Sequence, residues 1–254
     1  MKLSLITVCY NSEKTILDTL KSVDIQDYDN IEYIVVDGAS KDQTVQIVRE
    51  NSSRLSKLIS EPDKGLYDAM NKGIKLATGD IIAFINADDM YIDKDAISTI
   101  MTKFGTDRNT QIAYGDLWYV DAENPSIKLR NWISGAYSPI KLQFGWMPPH
   151  PLFFAKKQLF DELSGFDQSF KISADYDLML RFLKNVPPDN VAYIKKKFLN
   201  MRVGGASSPF EIKNCLKIFR EFSRAASANK IRAPIFAFVV RSGIVGWQRI
   251  TGFG

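Results

Sequence analysis

Lys2 to Val8 alternates polar and apolar positions and ends apolar, the pattern of a buried strand. After a short polar turn, Ile16, Leu17, Leu20 and Val23 recur at helical spacing, with Ser12 ahead of them as a start signal. The unit then repeats. Ile31 to Val36 is a β-branched run that stops at Asp37-Gly38, and Val45 and Val48 carry a second helical pattern. Leu58-Ile59 predicts a short strand, Leu66, Met70, Ile74 and Ala77 one face of a third helix, and Asp80 to Ile85 a nearly continuous apolar strand. Strands alternating with crossover helices imply an α/β domain with a mostly parallel, Rossmann-like sheet flanked by helices.

Beyond Asp88-Asp89 the alternation weakens. Ile97, Ile100, Met101 and Phe104 predict a helix and Ile112 to Val120 a strand, whereas 124–151 is rich in Pro, Gly and aromatics and reads as loops and strands over a site. Phe153-Phe154 suggests a strand, Lys156 to Leu163 a short helix, and Ser173 to Lys184 a longer one with Ser173 as its cap. In the tail, Ile212, Leu216, Phe219, Phe222 and Ala226 share one helical face, and Lys213, Lys217, Arg220 and Arg224 the opposite one. The chain divides on this basis into a domain over 1–210 and a basic amphipathic extension over 211–254. Such a helix can lie on anionic lipid, or it can pack its apolar face on the domain. The 235–240 apolar run is too short to span a bilayer, which takes roughly 20 residues.

Composition narrows the class. With 45% hydrophobic and 24% charged residues in a chain of 254, one domain with a sizeable core is expected. Cys9 and Cys215 stand far apart without CxxC spacing, which argues against a disulfide framework or a cysteine-built zinc site and for a reducing cytoplasm. The first residues lack the long apolar stretch and cleavage site of a secretory leader. The net charge of +4 is uneven, because eight basic residues face two acidic ones from Glu211 onward and the body is slightly acidic. The expected charged partner is therefore an anionic membrane surface met by the tail, on the inner face of the cell membrane, and not a nucleic acid.

Ligands of open α/β sheets bind beyond the carboxyl ends of the strands. The loops there read Thr7-Val8-Cys9-Tyr10-Asn11, Asp37-Gly38-Ala39-Ser40 and Asn86-Ala87-Asp88-Asp89. The first lacks GxGxxG, which disfavours a dinucleotide site. Asp88 and Asp89 offer hard oxygen ligands for Mn²⁺ or Mg²⁺ against a diphosphate, although two acids after a strand also serve as a plain turn or cap. Asp37 suits a base or ribose hydroxyl, or is only a turn-forming Asp before Gly, and Lys64 suits phosphates, or is only an exposed loop lysine. Asp175 and Asp177 sit two apart on a helix, about 200° around its axis, so only one can face a given site. Asp177 has i,i+4 spacing to Arg181 and takes the structural role, leaving Asp175 as candidate general base. His150, the single histidine, and Arg181 are second-tier site candidates.

In motif order, these segments resemble the family 2 glycosyltransferases of the GT-A fold over roughly the first 210 residues. The strings that carry the likeness are Leu5 to Asn11, Val35 to Thr44, Glu61 to Gly73, Gly79-Asp80 through Asp89, Gly165-Phe166-Asp167, and Ala174 to Arg181. The resemblance implies that Thr7, Tyr10, Asp37 and Lys64 line a nucleotide pocket. It also implies that the Asp88-Asp89 segment is the metal and ribose motif, and that Asp175 is the base of an inverting direct displacement. The implied donor is a nucleotide-diphosphate sugar, with a UDP-sugar favoured, and the implied acceptor a glycan or a polyprenyl-diphosphate-linked oligosaccharide. Two departures stand out: Asn86 and Ala174 occupy positions where the family often carries an acid. The competing readings are a sugar nucleotidyltransferase, which would want a Gly-rich basic loop after the first strand, and a non-catalytic membrane-associated scaffold.

Overall fold

The computed structural model describes residues 1–204, 212–232 and 235–239. The first half runs β1 (Leu3–Cys9), α1 (Ile16–Asp24), β2 (Ile31–Asp37), α2 (Thr44–Asn51), β3 (Leu55–Ser60), α3 (Leu66–Leu76), β4 (Ile81–Phe84), β5 (Met90–Tyr91) and α4 (Ala96–Thr106). It continues through β6 (Ile112–Val120), β7 (Lys128–Trp132), α5 (Pro139–Leu142), β8 (Phe154–Lys156), α6 (Lys157–Leu163), α7 (Ala174–Asn185), β9 (Val191–Arg202) and α8 (Ile212–Ala228). Every residue of β1 is buried, and its side chains divide with period two. Leu3 and Leu5 join Ile16 and Leu20 of α1 and Phe104 of α4 on one face, while Ile6 and Val8 join Met70 of α3 and Phe182 of α7 on the other. Burial on both faces is why β2 and β4 read as nearly continuous apolar runs. Helix α3 lies close on β1, since a Cβ on Gly73 would stand 2.5 Å from Ile6 Cγ2.

The strand order is β3-β2-β1-β4-β8-β6-β9-β5, with β7 paired to β6. The strands β3, β2, β1 and β4 are parallel, as the alternating pattern predicts. The other half is mixed, because β8 runs antiparallel to both β4 and β6, and β5 antiparallel to β9. The sequence pattern gives no warning of β9. The run Lys195 to Lys197 hides its alternation, yet β9 pairs with β6 from Ile112 to Val120 and delivers Arg202 beside the Asp88-Asp89 loop.

Helix α8 packs on α7. Tyr176 and Phe222 stack with centroids 4.2 Å apart and planes 8° from parallel, and Phe222, Ala225 and Ala226 are buried in the same cluster as α7. The apolar face expected to lie on lipid is thus covered by the domain from Phe222 onward, because it completes the core above α7. Lys217, Arg220 and Arg224 are exposed. Arg241 and Arg249, and the side chains of Ile212, Lys213 and Cys215, lie outside the described residues. Among the described residues no helix is long and apolar enough to cross a membrane.

Candidate active site

The ends of β1, β2 and β3 stand side by side, with Cys9 in register with Asp37 and Asp37 with Ser60. The Asp37 carboxylate is fully buried and accepts from the Ser60 hydroxyl (2.6 Å), the Ser40 N–H (2.9 Å), the Ser40 hydroxyl and the Cys9 thiol. Burial, then the neighbouring Asp37 charge, pushes the Cys9 thiol up, so Cys9 remains a donor to that carboxylate. The loops after β1 and β2 are fastened to each other. Asn11, at φ +49°, donates its N–H to Ser40 Oγ and accepts from the Lys41 N–H, the left-handed conformation that Asn tolerates. Tyr10, the first residue past β1, is 59% exposed over this floor. A Cβ on Gly38 would meet Asp63 Oδ2 at 2.5 Å and Tyr10 Cδ2 at 3.4 Å, so the β3–α3 loop that carries Lys64 closes against the same place. Lys64 itself is exposed, and its N–H donates to Asp68.

Thr7 corrects the sequence reading. It lies inside β1 on the face of Leu5 and Cys9, is fully buried, and its hydroxyl is 3.0 Å from that of Tyr33. Strand alternation turns it into the core, so it does not line the crevice.

The loop after β4 separates its two acids. Asp89 is 1% exposed, with Oδ1 accepting the Arg202 N–H (3.3 Å) and Oδ2 the Asn86 side-chain amide (2.8 Å). Asn86 therefore supplies a donor where an acid would face Asp89 with a second negative charge. Asp88 is half-buried; its main-chain carbonyl accepts from Arg202 Nη1 at 2.8 Å, and its carboxylate meets its own backbone N–H. The other arm of the guanidinium, Nη2, pairs with Asp18 of α1 at 2.6 Å. Burial pushes both acids up, and the adjacent Asp88 charge lifts Asp89 further. A buried and a half-buried acid sharing one cation with Asp18 are short of positive charge. That deficit, with the partly exposed Asp88 carboxylate, fits Mn²⁺ or Mg²⁺, which bind through one or two carboxylates plus phosphate oxygens and water. No cluster of three or more His, Cys, Asp or Glu side chains able to form an all-protein cage occurs among the described residues. Sequence reasoning missed Arg202 because the strand that carries it was missed.

Asp175 lies in the first turn of α7, half-buried, with Oδ1 accepting the Tyr176 N–H at 2.8 Å. Its charge reaches two neighbours. Burial lowers His150 below the usual imidazole range while Asp175 pulls it back, and burial followed by Asp175 raises the Tyr67 phenol. His150 stacks on Phe84 of β4 (5.3 Å, 28°) and meets Phe166 edge-on. His150 therefore flanks the strand end from which the Asp88-Asp89 loop departs, and the Asp175 charge acts on it. Asp177 turns away, buried and bonded to Arg181 Nε and to Asn229 Nδ2, both at 2.8 Å. Arg181 is also corrected. Its remaining donors are taken by the carbonyls of Leu163, Ser164 and Gly165, so it ties α7 to the turn after α6 and does not face the crevice.

The arrangement can hold a nucleotide over Asp37 and Tyr10, a cation and diphosphate at Asp88, and a proton acceptor at Asp175 across the end of β4. Comparison with known proteins bears on the family and the fold. The family model described as Glycosyl transferase family 2 matches residues 4–174. A PGL/p-HBAD biosynthesis glycosyltransferase of Mycobacterium tuberculosis is 29% identical over 169 residues, 65% of this chain and 63% of that protein's length. The structure is similar to that of S. aureus TarS 1–349 in complex with UDP-GlcNAc, with TM-score 0.70 at 18% identity over 99% of this chain and 75% of that one. It is also similar to the mannosyltransferase PcManGT from Pyrobaculum calidifontis in complex with GDP-Man and Mn²⁺, with TM-score 0.64 at 20% identity over 99% of this chain and 72% of that one.

Proposed function

The chain belongs to glycosyl transferase family 2 and has the GT-A architecture, and from that premise we propose that it transfers a sugar from a nucleotide-diphosphate donor with inversion at the anomeric carbon. The observation that carries the reading is the convergence of Tyr10, Asp37 and Asp88 at the ends of adjacent parallel strands, with His150 against Phe84 beside them and under the charge of Asp175. Asp37, Tyr10 and Lys64 serve the nucleotide and its phosphates. When bound at Asp88, Mn²⁺ or Mg²⁺ supplies positive charge to the departing diphosphate. The acceptor oxygen forms its bond to the anomeric carbon as the bond to the diphosphate oxygen breaks, the electron pair leaves with the diphosphate, and the acceptor proton passes to Asp175. His150, packed between Phe84 and Phe166, forms the apolar wall beside that base.

A UDP-sugar is the donor we favour, from the likeness to the TarS complex, and the acceptor we favour is a hydroxyl of a glycan or polyprenyl-diphosphate-linked oligosaccharide. Incubation with a panel of UDP- and GDP-sugars and Mn²⁺ tests the reading: release of one nucleoside diphosphate is expected. Pyrophosphate-dependent synthesis of a sugar nucleotide would move the assignment to a nucleotidyltransferase, and silence on every donor to a scaffold.

Contact with an anionic membrane surface, within this proposal, rests chiefly on the exposed Lys217, Arg220 and Arg224, because α7 covers the apolar face of α8 from Phe222 onward, although Leu216, Ile235, Phe236 and Val239 stay exposed beside them. Binding to vesicles containing anionic lipid is expected at low salt and should be lost as ionic strength rises through the range where the Debye length falls below about 8 Å. Salt-resistant binding would mean that apolar insertion, and not Lys217, Arg220 and Arg224, makes the contact.

A further inference from the structure

Ser173 stands at the start of α7 but its side chain makes no capping hydrogen bond. The cap comes from 48 to 50 residues further along the chain. The Glu221 carboxylate on α8 accepts three consecutive main-chain N–H groups, from Lys171 (3.0 Å), Ile172 (2.8 Å) and Ser173 (3.1 Å). The Ile172 carbonyl accepts the Tyr67 hydroxyl at 2.5 Å, so α3 grips from one side the turn that α8 grips from the other. The next residue of α8, Phe222, stacks on Tyr176. Asp175 thus sits between two points, Ser173 and Tyr176, that consecutive residues of α8 hold in place.

We propose that Glu221 is a positioning residue for Asp175, and that through it α8 belongs to the transfer machinery; the inference rests on Asp175 being the base. Three N–H groups in succession at the positive end of a helix form a strong anion-seeking nest. With Glu221 in it, the Asp175 carboxylate engages, among the described residues, the main-chain N–H of Tyr176. Without Glu221 those donors seek another acceptor, and the Asp175 carboxylate, in the adjoining turn, is available. A base that folds back to cap its own helix is withdrawn from the acceptor hydroxyl and has committed a lone pair elsewhere. Displacements of about 1 Å in a reacting group cost on the order of 10²-fold in rate.

The test compares full-length Glu221→Ala, Glu221→Gln, Asn229→Ala and Asp175→Asn. Asn229→Ala removes the bond from the C-terminal end of α8 to Asp177 in the first turn of α7, and so loosens α7 against α8 without touching the three N–H groups at 171–173 that Glu221 holds. Binding is read with UDP and Mn²⁺. Turnover is read as nucleoside diphosphate released from the sugar nucleotide that the donor panel selects, with water as acceptor, alongside the melting temperature. Glu221→Ala should lose roughly 10²-fold in kcat with UDP affinity unchanged. Glu221→Gln, which keeps one acceptor oxygen, should lie between it and the wild type, and Asn229→Ala should lower the melting temperature while holding kcat. If Glu221→Ala does not fold, the Gln variant carries the comparison. Equal kcat in the wild type and the folded Glu221 variants, with Asp175→Asn inactive, overturns the positioning role and leaves the base in place. A kcat loss in Asn229→Ala matching that of the Glu221 variants would reduce Glu221 to a stability role and also overturn it. Normal turnover in Asp175→Asn removes the base and the inference together.

Discussion

Changing Asp175 to Asn is expected to collapse turnover by about 10²–10⁴-fold while donor affinity stays near that of the wild type, the range typical for loss of a general base. The substitution keeps size and hydrogen bonding, so the Tyr176 N–H retains its acceptor and the first turn of α7 is preserved. Only the capacity to take the acceptor proton disappears. Asp177→Asn should behave in the opposite way. It weakens buried bonds to Arg181 and Asn229, at a cost of roughly 1.5–3 kcal/mol for hydrogen bonds to a charged group, with kcat retained. Turnover and melting temperature measured on both variants separate the two acids. A near-normal rate in Asp175→Asn, or a collapse confined to Asp177→Asn, would move the base to the neighbouring carboxylate.

The second large effect concerns the acids after β4. Asp88→Ala removes the partly exposed carboxylate of that loop and should lower transfer by about 10²–10³-fold, the scale of losing one preorganised electrostatic contact to the developing charge. Mn²⁺-dependent binding of UDP, followed by calorimetry, should weaken in parallel. Asp89→Ala instead leaves the Arg202 N–H and the Asn86 amide without their acceptor, so its first signature is a lower melting temperature, by about 1–3 kcal/mol of stability. Full transfer in chelator, with metal removal verified, would end the metal assignment for both.

Much of the fold was legible in the sequence because three of the first four strands, β1, β2 and β4, are buried on both faces. Continuous apolar runs marked where each strand stops, and a carboxylate just past such a stop, as at Asp37 and Asp88, stands out. Thr7 was misplaced because a motif was read in place of the strand alternation that turns it into the core. Arg181 was given a site role although its i,i+4 spacing to Asp177 already accounted for it. What the sequence hid acts at long range. The direction of β8 depends on the strands either side of it, and β9 on a lysine run that breaks its apolar alternation. Arg202 reaches Asp18 from 184 positions away, and Glu221 caps a turn some 50 residues before it. No local periodicity records such partners.

The bond from Arg202 to Asp89 also sets a schedule for the molecule's manufacture. The two residues lie 113 positions apart, and a ribosome adds about 5–20 residues per second, so the acidic loop emerges roughly 6–23 s before the strand that fastens it. During that interval β1, β2 and β4 can already pair, while the pocket floor at Asp88-Asp89 lacks its anchor. A nascent chain in this state holds nearly all of the residues proposed to face the nucleotide without the finished Asp88-Asp89 loop. On the proposed function, competence to bind the donor then arrives late and in one step, when β9 enters the sheet.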